Sequence, residues 1–304
     1  MLITPSTLDS LTYGFHVDFK RGLELAPATW KQWAMEMPSG TKTEKYPFAN
    51  LFPRFREWVG DRISKSLTAN DYSLTNKRWE TTVEVPREDI EDDRIGLWSS
   101  AMEDMGSAAN LLPEDALVDS LIAGGSSLCY DGQYFFDTDH PVDPYDSSKG
   151  VQANLLASTA LSEANYAAAR AAMRNFKGDD GKRLRVEPNL LVVPPALERL
   201  ARTLVQADHI SQSSGSTQTN VYKGSAGVLV LPELTRDSAT TWYLFDVSRA
   251  IKPLFWQKRI APEFQMVTSL QAEHVIKTDK FLWGARARGA AGYALWQLAM
   301  KCTA

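Results

Sequence analysis

Residues 85–125 read VPREDIEDDRIGLWSSAMEDMGSAANLLPEDALVDSLIAGG, and their pattern predicts a long helix entered through an acidic turn. Glu88, Asp89, Glu91, Asp92 and Asp93 place negative charge where a helix dipole presents its positive end. Leu97, Ala101, Met105, Ala108 and Leu112 then recur at helical spacing and line one face. Pro113, followed by Glu114 and Asp115, predicts a restart, residues 116–122 continue the helix, and Gly124-Gly125 stops it.

Outward from this segment the chain changes character. Upstream, a Ser/Thr cap introduces Leu8, Leu11, Phe15, Phe19 and Leu23, an amphipathic helix over 6–25 that ends at Ala26-Pro27. Residues 41–86 are polar, aromatic and strand-like, with a helical turn or two within FANLFPRFREW (48–58) and strands expected at 63–67, 72–75 and 79–85. So long a ribbon, with so little apolar content, needs a third strand or a partner surface, and another copy of the chain would supply one. Downstream, the pattern predicts a helix over 161–176 capped by Ser162, a buried strand at 190–193, a helix over 195–206 and a flexible polar loop, SQSSGSTQTN, at 211–220. Strands are expected at 227–231, 241–247, 253–259, 263–268, 274–285 and 290–300, with no fixed-period repeat.

With 304 residues, 44% hydrophobic and 23% charged, the chain can bury a large core in one elaborate domain or two to three units. Its balance of 33 basic and 37 acidic side chains, net −4, argues against a surface dedicated to coating DNA. Cys129 and Cys302 lie far apart without CxxC company, so no disulfide framework is expected. MLITPSTLDSLTYGF carries no Lys or Arg and no apolar run, which predicts no secretory signal, and the apolar stretch 190–197 is too short to span a membrane. Nine Trp are spread along the whole chain, serving either as core anchors or at subunit interfaces, where aromatics are enriched.

The segment 129–141, CYDGQYFFDTDHP, is the one tempting chemical cluster. Asp137, Asp139 and His140 are possible metal ligands, and Cys129 with His140 a possible nucleophile and base, which would make a hydrolase or metal-dependent enzyme. Against it, no second ligand pair exists and His16, His209 and His274 lack metal spacing, so a structural turn ending in His-Pro is the better reading. No GxxxxGK[ST] or GxSxG motif is present, and GARARGAAG (284–292) is not a dinucleotide fingerprint. No catalytic residue, cofactor or metal is therefore assigned.

Charge placement says more. Residues 42–78 hold eight basic and four acidic side chains, net +4, whereas residues 84–93 hold six acids against Arg87, net −5. Two unrelated solvated surfaces would account for this, but so would docking of the basic segment of one subunit on the acidic turn of its neighbour. Arg54, Arg56, Trp58, Arg62 and Trp79 on one side, and Glu88, Asp89, Glu91, Asp92 and Asp93 on the other, are the candidate inter-subunit contacts.

The order of parts, together with FPRFREWVGDR (52–62), VPREDIEDD (85–93), CYDGQYFFDTDHP (129–141) and WQLA (296–299), resembles the Mu-like phage major head subunit (gpT) family of HK97-fold major capsid proteins. The resemblance runs nearly end to end. It implies an α+β chain: an N-terminal arm at 1–33, an extended β-hairpin loop (E-loop) at 34–85, a peripheral domain at 86–150 and 252–285 with a spine helix near 95–123, and an axial α/β domain at 151–251 and 286–304. It further implies a structural, non-enzymatic head protein that assembles with itself as pentamers and hexamers into an icosahedral shell. That shell would enclose double-stranded DNA without sequence-specific binding, with no membrane contact. Scaffold, protease, portal and decoration proteins would be separate chains, the helix beginning almost at Met1. Its location would be the virion capsid, assembled in the host bacterial cytoplasm.

Overall fold

A computed structural model describes residues 2–48, 70–143, 146–211 and 217–304. The chain begins with helix α1 (Pro5–Leu25), closed at its start by Thr4 and Thr7, whose hydroxyls each accept the other's backbone N–H. Strands β1 (Ala34–Pro38), β2 (Thr43–Phe48), β3 (Asn70–Thr75) and β4 (Lys77–Pro86) lead to α2 (Arg87–Glu91) and α3 (Ile95–Ala123). Short strands β5 (His140–Pro141), β6 (Val151–Gln152) and β7 (Leu155–Leu156) precede α4 (Glu163–Arg174), β8 (Leu190–Val193) and α5 (Glu198–Gln206). The remainder is β9 (His209–Ser211), β10 (Thr217–Thr219), β11 (Gly227–Val230), β12 (Trp242–Phe245), β13 (Leu254–Val267), α6 (Glu273–Thr278), β14 (Lys280–Tyr293) and β15 (Ala299–Cys302).

The acidic turn and the long helix form where the sequence places them, but α3 does not restart at Pro113; one helix of 29 residues runs through it. A proline inside a helix costs about 3 kcal/mol through a lost hydrogen bond and a clash with the preceding turn. Here the turns after it are held by burial of Ala116, Leu117, Val118 and Leu121. Glu114 adds a polar tie: its carboxylate accepts from Thr29 N–H at 2.6 Å, the Thr29 hydroxyl at 2.5 Å and Trp30 N–H at 3.3 Å.

Helix α1 lies against α3 at a distance that two glycines permit. A Cβ on Gly22 would stand 1.9 Å from Glu103 O, and one on Gly106 would stand 2.0 Å from Phe19 O, so each helix seats its backbone on the other's glycine. Leu8, Leu11, Phe15 and Phe19 then share a buried cluster with Met102, Met105, Phe281 and Trp283. At the edge, Arg21 bridges Glu103 at 2.8 Å and Asp18 at 2.9 Å.

That cluster is roofed by a four-stranded sheet of order β1-β13-β14-β4. Strands β13 and β14 pair over their length except at two register shifts between Lys258 and Glu263, which leave Pro262 outside the ladder, where a missing N–H costs nothing. The expected strand over 274–285 is corrected: its first part is the short helix α6, and β14 begins at Lys280 after Asp279 turns left-handed at φ 53°. The segment GARARGAAG is neither loop nor helix start but the middle of β14. Gly289 faces the Trp256 ring so closely that a Cβ would lie 2.4 Å from it, which is why a glycine stands there. Strands β2 and β3 form a separate two-stranded ribbon, and residues 49–69 between them lie outside the described residues.

A second, mixed sheet of order β11-β8-β12-β15-β7 carries the larger core, with every residue of β8 and β12 buried. The residues expected as a loop at 211–220 begin and end in strand: β9 pairs β10 antiparallel from Ser211↔Thr217 to His209↔Thr219. Six of the nine tryptophans, at 30, 33, 242, 256, 283 and 296, are buried, so most of them are core anchors. No helix among the described residues is long and apolar enough to cross a membrane.

Candidate functional site

The segment 129–141 folds into a buried polar knot rather than an open site. His140 is fully buried and stacks on Trp296, ring centroids 4.0 Å apart and 11° from parallel. Its partner is Asp131, not Asp137 or Asp139: His140 Nδ1 and Asp131 Oδ2 lie 2.7 Å apart with both side chains sealed from solvent. Asp131 Oδ1 accepts from the Cys129 thiol at 2.9 Å and from Gln133 N–H at 3.2 Å. On the other side, Asn154 Nδ2 donates to Phe135 O at 2.8 Å and to Trp296 O and Ala299 O at 3.3 Å each. This leaves Asn154 Oδ1 as acceptor for Asp137 N–H at 2.9 Å and for His140 Nε2 at 3.2 Å. Both ring nitrogens therefore face oxygen atoms, one of the Asp131 carboxylate and one of the Asn154 amide.

Electrostatics follows from this geometry. Burial pushes the Asp131 carboxyl up, but the His140 hydrogen bond and charge, the Cys129 thiol and the Gln133 N–H outweigh it and hold the group below its ordinary value. Burial, then the neighbouring Asp131 charge, push the Cys129 thiol far up, so it stays a thiol and not a nucleophile. Cys129, Asp131 and His140 bring one sulfur, one oxygen and one nitrogen within 4.8 Å of one another, a possible metal set by composition. Each of those atoms is already spent in the hydrogen bonds above, so a cation would have to break them; the donor set fits a structural lock better than a metal. Asp137 caps Thr138 N–H at 2.7 Å and Tyr134 N–H at 3.3 Å, and Asp139 is exposed.

The knot also joins two motifs that stand apart in sequence. Tyr130 and Gln297 exchange hydrogen bonds at 2.9 and 3.1 Å, so CYDGQYFFDTDHP and WQLA are the two halves of one contact. Asp131, Asn154 and Glu114 escaped the sequence reading. Asp131 sits two residues from Cys129 and was within reach of the motif; Asn154, in VQANLL, carries no local signal at all.

Of the candidate contact residues, Arg54, Arg56, Trp58 and Arg62 lie outside the described residues. Trp79 is half-buried on β4, and its indole N–H donates to Gly289 O at 3.1 Å within the same subunit. In the acidic turn, Arg87 bridges Glu91 at 2.9 Å and Arg94 approaches Asp89 at 3.6 Å. Glu88, Asp92 and Asp93 are exposed and have no side-chain partner among the described residues.

A helix pair beneath a long four-stranded sheet, continued into a mixed five-stranded sheet, is the architecture of HK97-like capsid proteins, the shell-forming subunits of tailed phages. The structure is similar to a subunit of the bacteriophage JBD30 procapsid, with a TM-score of 0.61 and 31% identity over 98% of this chain and 75% of that one. A virus-like particle from Pyrococcus furiosus shares the fold alone, with a TM-score of 0.51 and 12% identity over 95% of this chain and 98% of that one. In sequence, the chain matches the family described as "Mu-like prophage major head subunit gpT" over residues 8–161, 152–234 and 232–304. It is 31% identical to the Mu-like prophage FluMu major head subunit of Haemophilus influenzae, over 98% of this chain and 73% of that protein. It is 30% identical to the major capsid protein of Escherichia phage Mu, over 99% of this chain and 74% of that one. The chain belongs to the Mu-like gpT major head subunit family and is a major capsid protein of the phage head, located in the virion capsid. Its role is structural, and the enzyme reading built on Cys129, Asp137, Asp139 and His140 finds no support.

Proposed function

We propose that the chain assembles with itself as pentamers and hexamers into a closed icosahedral shell around double-stranded DNA. The observation that carries this is the likeness, over 98% of the chain, to a subunit of a procapsid. In this reading residues 1–33 are the arm, 34–85 the extended loop, 86–150 with 252–285 the peripheral part, and 151–251 with 286–304 the axial part, β14 bridging the last two. One sequence filling five-fold and six-fold positions needs a rigid body and segments that adapt between sites. Helix α3 under its sheet supplies such a body. A net charge of −4 suits the inside of a container, because a strongly basic lining would bind packed duplex tightly and without specificity.

Scaffold, protease and portal proteins belong to this reading as separate partners. So does a decoration protein, since the JBD30 capsid is described as decorated with minor capsid protein trimers and matches this chain at 31% identity. The test is to express the chain alone and with its scaffold and to examine the particles by negative-stain microscopy. Closed shells with five- and six-fold capsomers are expected; discrete small oligomers would point instead to an adaptor.

A further inference from the structure

We infer that Arg78 and Arg288, on the outer face of the four-stranded sheet, receive the acidic α2 turn of a neighbouring copy of this chain. The inference rests on the shell reading above and assigns one of its subunit contacts.

The face is defined by the register of β14. Phe281, Trp283, Ala285 and Ala287 are buried toward the helices, so Leu282, Gly284, Arg286 and Arg288 point the opposite way. Arg288 stands directly across from Arg78 on β4 and from Ile260 on β13. Elsewhere along this side of the sheet charges are matched: Arg286 bridges Glu263 at 3.1 Å and Lys280 bridges Glu84 at 2.7 Å. Among the described residues, Arg78 and Arg288 have no hydrogen bond or ion pair, and Arg288 Nε is shielded from water with no partner. Like charges directly opposed across a strand pair are destabilising, and a shielded guanidinium N–H without an acceptor adds to the cost. A carboxylate set between the two guanidiniums would relieve both.

The same chain exposes the matching group. Glu88 and Asp92 stand free on the α2 turn, whereas Asp89 and Glu91 are engaged by Arg94 and Arg87. They cannot reach Arg78 in their own subunit. The turn begins at Arg87, past the far end of β4, and the strand from Arg78 to Pro86 extends about 27 Å at roughly 3.4 Å per residue. The pairing must then run head to tail between copies, a heterologous contact that closes rings when its rotation permits.

The test reverses each side and then both. Arg78→Glu/Arg288→Glu and Glu88→Lys/Asp92→Lys should each leave the subunit folded, lose shells, and weaken subunit association in low salt about tenfold or more by sedimentation velocity. The four-fold combination should restore both. If a reversal unfolds the subunit, Arg78→Gln/Arg288→Gln should weaken association in the same direction. Reversals that assemble like wild type, or a combination that recovers nothing, overturn the inference. So does loss of duplex DNA binding with association unchanged, which would assign the arginines to phosphate. A wild-type chain that never closes shells, yet whose association still falls on reversal and returns in the combination, counts against the shell reading and supports this contact.

Discussion

Gly106→Ala sets helix propensity against close packing, and the two make opposite forecasts. In the interior of α3, alanine gains about 1 kcal/mol over glycine on propensity alone. The new methyl would stand 2.0 Å from Phe19 O and 2.9 Å from Leu23 N, both backbone atoms that no rotamer change can move. Carbon–oxygen contacts seldom close below about 3.3 Å, so the two helices must part by roughly 1 Å. A gap of that size forfeits a quarter to a half of each dispersion contact along the seam, and overpacking of this kind costs about 1–3 kcal/mol before relaxation losses are added. With dispersion losses of about 1 kcal/mol added and the propensity gain of about 1 kcal/mol subtracted, the expected net is a loss of about 1–3 kcal/mol, a fall in Tm of about 2–4 °C per kcal/mol for a domain approaching this size. Urea and thermal unfolding of the unassembled subunit, followed by far-UV circular dichroism, measure it. Gly96→Ala is the control: it lies in the same helix with nothing within 4 Å of its Cβ, so it should be neutral or stabilising. If Gly106→Ala is as stable as wild type, or if the two variants move together, the seam is looser than the geometry requires and the reasoning fails.

Two further outcomes follow from buried polar ties. Asp131→Ala removes the acceptor shared by buried His140, the Cys129 thiol and Gln133 N–H and should cost at least about 1–3 kcal/mol in urea unfolding, far more than an exposed Asp139→Ala. Because the Asp131 carboxyl is held below its ordinary value, its contribution is complete above about pH 3.9 and is lost as pH falls through the lower folded value; Asp131→Asn should flatten the acid limb of a pH titration followed by near-UV dichroism. Glu114→Gln keeps the shape but removes the charge from three hydrogen bonds to Thr29 and Trp30, and should lower stability by about 1.5–3 kcal/mol in the same urea assay.

Periodicity carried much of the fold. The spacing of Leu8, Leu11, Phe15 and Phe19, the acids before Ile95, the cap at Ser162 and the apolar run at 190–193 are local signals, and each element formed where its signal lay. Signals failed where distant contacts outweighed local ones. Pro113 reads as a break, yet buried neighbours carry α3 through it. His274 to Thr278 reads as strand by its apolar residues, yet it closes as a helical turn at the end of a hairpin.

By itself, the amino-acid sequence determined the longer helices, most strands and, through four motifs, the family, because these depend on residues near one another in the chain. Only the tertiary structure decided what the motifs are for. It put Asp131 rather than Asp137 or Asp139 against His140, joined Tyr130 to Gln297 across 167 positions, and left Arg78 facing Arg288 with no partner among the described residues. Pairings of that kind depend on strand register and helix approach, which are settled by the burial of whole faces and by glycines such as Gly22 and Gly106, and no local pattern encodes them.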